Sequence, residues 1–103
     1  MTMTKTKILT GVVLDENIEL TTNDLCRSCF VQREMIVALV EEGVLTPVNP
    51  DEEAYRFPGA SVKVVIKAMR LQRDLDLNVA GIALALDLMG EIERLRERLG
   101  VFE

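Results

Sequence analysis

The sequence predicts a single, mainly α-helical domain with a small β element, and three observations lead to this prediction. Its 103 residues are enough for one hydrophobic core and too few for two. Hydrophobic residues make up 49% of the chain, and from residue 32 onward many of them recur at helical spacing. Polar and proline-rich breaks divide the chain into an N-terminal hairpin, a helix-turn-helix, a wing and two longer helices.

The N-terminal β-hairpin is expected within residues 1–21. Residues 7–14 and 18–21 are rich in β-branched and apolar side chains. The polar segment 15–17 between them is typical of a turn, so the two segments are predicted to pair with each other.

The helix-turn-helix follows directly. The Thr21-Thr22 pair, with Asp24 in the first turn, indicates the N-cap of a short helix that ends near Cys29. A second helix is expected from Gln32, because its apolar residues recur at helical spacing. Gly43 is expected to end that helix in the left-handed conformation.

The rest of the chain contains the wing and two longer helices. Three prolines and three consecutive acids in residues 47–58 break helices, so this segment is expected to form a loop or a β-wing. A third helix begins near Gly59 or Ser61, and apolar residues on most of its sides predict a buried central helix. Asn78 is a suitable N-cap for a fourth helix that runs to Leu99.

The single domain thus has three parts: a hairpin (1–21), a winged helix-turn-helix core (22–77) and a C-terminal helix (78–103).

Composition argues against catalysis and against general nucleic-acid binding. Twelve Lys and Arg against 17 Asp and Glu give a net charge of −5, which repels phosphate backbones and favours a basic partner. Histidine is absent, which removes the commonest general base and metal ligand. We therefore expect a protein that is not an enzyme and needs no metal or cofactor. Neither a signal peptide nor a membrane span is evident, so a cytoplasmic location is expected.

Cys26 and Cys29 form a C-x-x-C pair, a spacing found in redox motifs and in half of a zinc site. A zinc site within one chain needs two further Cys or His ligands, and the sequence has none. We interpret the two thiols as small hydrophobic residues in or near the core. A thiol redox or metal sensor is the less favoured alternative.

A basic stripe follows one side of the third helix. Its members are spaced i, i+4, i+7 and beyond: Lys63, Lys67, Arg70 and Arg73. Such a stripe either contacts phosphate or is the solvated side of the helix. We favour the solvated side because Asp74 and Asp76 lie at its end.

Six acids cluster on the second helix and in the loop behind it: Glu34, Glu41, Glu42, Asp51, Glu52 and Glu53. Between residues 23 and 53, seven acids oppose two arginines, so this region alone has a net charge of −5. The six acids form a predicted docking surface for a basic partner, with solvated surface as the alternative.

The C-terminal helix has apolar residues at alternating spacings of four and three: Leu88, Ile92, Leu95, Leu99 and Phe102. This pattern, with charged residues around it, is a heptad seam for helix pairing. A helix folded back on its own domain is the alternative. We favour self-association, since residues so far beyond a small core find little surface there.

Four segments carry a resemblance to a known superfamily. They read LTTNDLC from Leu20, EGVLTP from Glu42, YRF from Tyr55 and LDLNVAGI from Leu75, and they resemble the MerR-type winged helix-turn-helix over residues 20 to about 99. Residues 68–89 are more similar to the chaperone-modulator branch of that superfamily, CbpM, than to its transcription regulators. The resemblance implies a protein that binds the J-domain of the DnaJ-like co-chaperone CbpA and inhibits its stimulation of DnaK. The homodimer is expected from the heptad seam.

The DNA-binding pattern of the MerR-type regulators is incomplete in this chain. Those regulators typically carry an arginine and aromatic residues in the second helix, where this sequence has Val37, Ala38 and Leu39. Glu34 reverses a charge that is often basic there, and Arg56 is the one regulator-like cation that remains in the wing. DNA binding is therefore expected to be weak or absent, and a DNA-binding regulator is the alternative function.

A J-domain contacts DnaK through a basic helix. An acidic surface with an apolar centre would cover such a helix by complementary charge and apolar contact, without any catalytic step.

Overall fold

The computed structural model describes residues 18–100 and has the expected mainly helical architecture with a small β element. Its elements in chain order are β1 Glu19–Thr21, α1 Thr22–Cys29, α2 Arg33–Glu41, β2 Arg56–Pro58, α3 Ser61–Leu75 and α4 Val79–Leu99. Most of the hairpin predicted within residues 1–21, and Phe102 of the predicted seam, lie outside these described residues.

The small sheet joins the start of the described chain to the wing. β1 pairs antiparallel with β2, and Leu20 lies opposite Phe57. Both side chains are buried, so the sheet forms one wall of the core. The predicted hairpin partner of residues 18–21, residues 7–14, lies outside the described residues. Within the part of the chain that the structure covers, the partner of β1 is the wing strand, because burial of this apolar pair favours the long-range contact.

The first helix begins as the sequence predicts. The Thr21 hydroxyl accepts a hydrogen bond from the Asp24 backbone N–H, and the Thr21 backbone N–H donates to the Asp24 carboxylate, both at 3.0 Å. This reciprocal capping box satisfies two backbone donors at the helix N-terminus. The helix ends at Cys29, and Phe30 adopts the left-handed conformation with φ of 58° in the turn before α2.

Helix α2 also ends where Gly43 predicts. The last helical residue is Glu41, and Gly43 takes a left-handed φ of 78°. The backbone N–H groups of Val44 and Leu45 then donate to the carbonyl oxygen of Leu39, at 2.8 and 3.2 Å. This turn directs the chain back over the core, where Leu45 is buried.

The core lies between the sheet, α1, α2, one face of α3 and the first turns of α4. Its buried hydrophobic residues are Leu20, Leu25, Ile36, Leu39, Leu45, Phe57, Val62, Val65, Ala68 and Ile82. Most of these residues belong to residues 18–58, whereas α4 contributes only Ile82.

Helix α3 is not buried on most sides, which corrects the expectation of a central helix. Val62, Val65 and Ala68 recur every three residues and face the core. Ile66 and Leu75, by contrast, are 44% and 61% exposed. Helices α1 and α4 are the helices that pack against α3, and they cover only part of its circumference.

Helix α4 begins at the predicted cap and then leaves the core. The Asn78 side-chain oxygen accepts a hydrogen bond from the Gly81 backbone N–H at 2.8 Å. Val79, Ile82, Ala83 and Leu86 form the inner face of the helix, and every residue from Asp87 to Leu99 is exposed. None of the helices in residues 18–100 is long and apolar enough to cross a membrane.

Candidate partner-binding surfaces

The outer face of α2 carries two acids around an apolar centre. Glu34, Val37, Ala38 and Glu41 are three or four residues apart and therefore share one side of the helix. Both carboxylates are exposed, Val37 is 40% exposed and Ala38 is half-buried. We call these four residues the α2 face. Leu39, grouped with Val37 and Ala38 by the sequence analysis, is fully buried and belongs to the core, so it does not lie on this face.

Glu42 lies in a different environment, at the rim of a groove between α3 and α4. Lys63, Lys67 and Arg70 of the predicted basic stripe line the same groove. The fourth residue of that stripe, Arg73, lies outside this lining and forms an ion pair with Asp74 at 3.3 Å. The predicted basic stripe is therefore split between the groove and the exposed end of α3.

The acids of the wing form a third group. Glu52 and Glu53 line a shallow cleft together with Arg33 and Arg56, and Asp51 is exposed beside them in the loop. The six predicted acids thus fall into three groups: Glu34 with Glu41 on α2, Glu42 at the groove, and residues 51–53 at the wing.

The Asn49 side chain joins the two ends of the wing loop by hydrogen bonds, a role that was not predicted from the sequence. Its side-chain NH₂ donates to the Glu52 carboxylate and to the Ala54 carbonyl oxygen, each at 2.9 Å, and its oxygen accepts the Arg56 backbone N–H at 2.8 Å. The side chain is buried, so these bonds replace water. An uncharged amide between two prolines is the signal in the sequence that indicates this role.

The predicted heptad residues lie on one exposed stripe of α4. Leu88, Ile92, Leu95 and Leu99 are between 46% and 78% exposed. Leu84, at 61% exposed, extends the stripe by one turn toward the core. We call these five leucine and isoleucine residues the α4 stripe. Because it lies opposite the inner face, no element of the described chain covers it.

The two cysteines pack against the core as half-buried residues. The Cys29 thiol lies 4.0 Å from the carbonyl oxygen of Val62. Burial, with a smaller contribution from neighbouring Cys26, raises the pKa of Cys29 to about 11. A thiol with that pKa is protonated near neutral pH and is a poor nucleophile, which argues against a redox role. Among residues 18–100, no three Cys, Asp or Glu side chains are grouped closely enough to hold a metal ion.

Comparison with known proteins identifies the family of this chain. Residues 20–103 match the model of the MerR HTH family regulatory proteins. The chaperone modulatory protein CbpM of Coxiella burnetii is 33% identical over 98% of this chain and 94% of its own length. The chain belongs to the CbpM family. A CbpM of Pseudomonas putida is 32% identical and that of Pseudomonas entomophila 29% identical, each over 82% of this chain and 91% of the relative.

Membership of the CbpM family confirms the resemblance drawn from the sequence. It supports a role in modulating chaperones, and the relatives carry the name of modulatory proteins rather than of enzymes. It also identifies the helix-turn-helix and wing as those of a MerR-like fold.

Proposed function

We propose that this protein binds the J-domain of a DnaJ-like co-chaperone, CbpA, and thereby inhibits the stimulation of DnaK. The observation that carries the proposal is the α2 face, where Glu34 and Glu41 flank Val37 and Ala38 on the exposed side of the second helix of the helix-turn-helix. A basic helix can pair its cations with both carboxylates and bury apolar atoms against the centre.

The same face explains why J-domain binding is preferred over DNA binding. Affinity for DNA comes largely from Lys and Arg side chains that neutralise phosphates and release counterions, and the α2 face supplies anions instead. The remaining regulator-like cation, Arg56, lies 3.7 Å from the Glu19 carboxylate and is partly neutralised by it. Any binding to DNA is therefore expected to be weak and nonspecific at physiological salt.

The α4 stripe supports a homodimer as the working form of the inhibitor. Five exposed apolar residues in one stripe are the pattern of a helix that pairs with a second helix. The α2 face lies on another helix, and none of its residues belongs to the α4 stripe.

The decisive experiment reverses the charge of the α2 face. The double variant Glu34→Lys, Glu41→Lys is expected to slow association with the J-domain and to release J-domain-stimulated ATPase activity of DnaK from inhibition. Exposed helix charges contribute little to folding, so the melting temperature should change little. The matched control is Glu93→Lys with Glu97→Lys on α4, which changes the net charge equally and should leave inhibition intact.

Equal behaviour of the two double variants would contradict the assignment to α2, and so would an absence of J-domain binding at micromolar protein. Sequence-specific nanomolar binding to a promoter at physiological salt would favour the regulator instead. For the native pair, association should slow as salt shortens the Debye length below about 8 Å, whereas dissociation should change less.

A further inference from the structure

A long groove between α3 and α4 has an apolar floor and a basic wall. The floor is formed by Val64, Ala83 and Leu86, and the groove has a volume of about 460 Å³. It continues along α4 into a second groove of about 370 Å³, which shares Lys67 and Leu86 with the first. From Ala83 to Arg96 the combined groove, which we call the α3–α4 groove, follows roughly 20 Å of helix.

The wall of this groove holds three cations. Lys63, Lys67 and Arg70 are spaced i, i+4, i+7, so they form a row about 10 Å long. None of the ion pairs formed within residues 18–100 includes any of the three. The acids that line the combined groove are Glu42, Asp87 and Glu93, and with Arg96 the cations outnumber them by four to three. A row of cations beside an apolar floor is complementary to a partner with both acids and apolar side chains.

Gly90 is a second, independent observation at the same groove. It lies in the middle of α4 and lines the continuation of the groove. A Cβ atom there would meet nothing within 4 Å, so the folded chain has no steric need for glycine at this position. Glycine in an exposed helix interior is less favourable than any other residue except proline. The close approach of a partner's backbone to α4 would explain a glycine here, because glycine has no side chain to hold that backbone away.

We propose that the α3–α4 groove binds an acidic amphipathic helix of a partner protein. The apolar side of that helix packs on Leu86 and Val64, its acids at i, i+4, i+7 spacing pair with the basic row, and its backbone passes Gly90. This is helix-in-groove recognition, with the groove long enough for about 13 residues. The site differs from the α2 face, which is acidic, and from the α4 stripe, of which only Ile92 also lines the groove.

The test uses the full chain and a synthetic helix-forming peptide of 16 residues. The peptide carries leucines along one side and three glutamates at i, i+4, i+7 spacing beside them, and fluorescence anisotropy follows its binding. Lys67→Glu, at the point shared by both grooves, should weaken binding at least about tenfold, because it places like charges together. Arg73→Glu has the same charge change on the same helix outside the groove and should bind as the native chain does.

A second variant separates binding from folding. Gly90→Leu fills the groove with the side chain of a better helix former, so the melting temperature should stay the same or rise while peptide binding is lost. Binding that is unaffected by Lys67→Glu and Gly90→Leu would overturn the proposal. The proposal would also be overturned if the designed peptide does not bind, or if a scrambled peptide binds equally well. Tighter binding of duplex DNA, or of the fatty acid laurate, would show that the groove takes a different kind of ligand.

Discussion

Residues 18–58 and residues 59–100 share one core but present different surfaces. The first region has eight acids against three cations and a net charge of −5, whereas the second has six acids against seven cations and a net charge of +1. Exposed large hydrophobic residues are distributed in the opposite way. The first region has three of them, Phe30, Val37 and Val48, and the second has eight, five of which form the α4 stripe.

Because their surfaces differ, the two regions are suited to different kinds of contact. The first buries its large apolar residues and leaves charge outside, so it is suited to steering and selecting a charged partner. The second exposes apolar surface that water disfavours, so it is suited to permanent contact with another helix. One small core therefore supports two kinds of recognition that need not interfere with each other.

The largest expected effect concerns association through α4. Leu95→Glu places a charge in the middle of the α4 stripe, and a buried unpaired charge costs several kcal/mol, so a dimer paired through this stripe as proposed should dissociate to monomer. Light scattering measures this directly. Leu75→Glu is the matched control, because Leu75 is 61% exposed and lies on α3. A Leu95→Glu protein that stays dimeric would show that the α4 stripe is not the interface.

A pair of identical truncations compares the two regions in the folded monomer. Leu39→Ala removes a fully buried side chain and should lower the free energy of unfolding by about 2–5 kcal/mol. Leu88→Ala removes a side chain that is 54% exposed and should cost less than about 1 kcal/mol. Urea unfolding in the Leu95→Glu background keeps both measurements free of dimerisation. Equal losses of unfolding free energy would mean that Leu88 is buried against the core rather than exposed on α4.

A smaller effect is expected from the wing. Asn49→Ala removes three hydrogen bonds and leaves the part-buried Arg56 backbone N–H without its side-chain acceptor, at a cost of about 1–3 kcal/mol. Asn49→Asp keeps the acceptor for Arg56 but places a carboxylate against the Glu52 carboxylate and the Ala54 carbonyl oxygen, so it should not restore the loss. If Asn49→Ala unfolds at the same urea concentration as the native chain, the wing is held by other contacts.

The smallest effect is the pH dependence due to Cys29. Its pKa is about 11 in the folded protein and 9.0 for the free group, so the unfolded chain loses this proton first as pH rises. Stability from the protonated thiol is complete below pH 9 and is lost between about pH 9 and 11. The melting temperature of the native chain should therefore fall slightly more steeply over that range than that of Cys29→Ala. Parallel pH profiles would contradict a burial effect on this thiol.

The parts of the fold that depend on residues close together in the sequence could be predicted. The Thr21 cap, the left-handed Gly43, the start of α3 at Ser61 and the Asn78 cap follow from local backbone chemistry, which a short segment encodes. The pairing of β1 with β2 was not predictable, because it joins residues 37 apart, such as Leu20 and Phe57, through burial alone. The same holds for the candidate surfaces: heptad spacing predicted an exposed stripe on α4, but only three-dimensional packing separated Glu42 from Glu41.

The exposed outer half of α4 has a consequence for the lifetime of the protein. Residues 87–99 are held in a helix by their own backbone hydrogen bonds, and 13 residues are about the shortest length at which an isolated helix is even marginally stable. In a lone copy, opening of these turns presents Arg94, Arg96 and Arg98 to proteases, whereas the proposed pairing through the α4 stripe would shield them. If two copies pair as proposed, the rate of degradation depends on the concentration of the chain, and a scarce protein is removed faster than an abundant one.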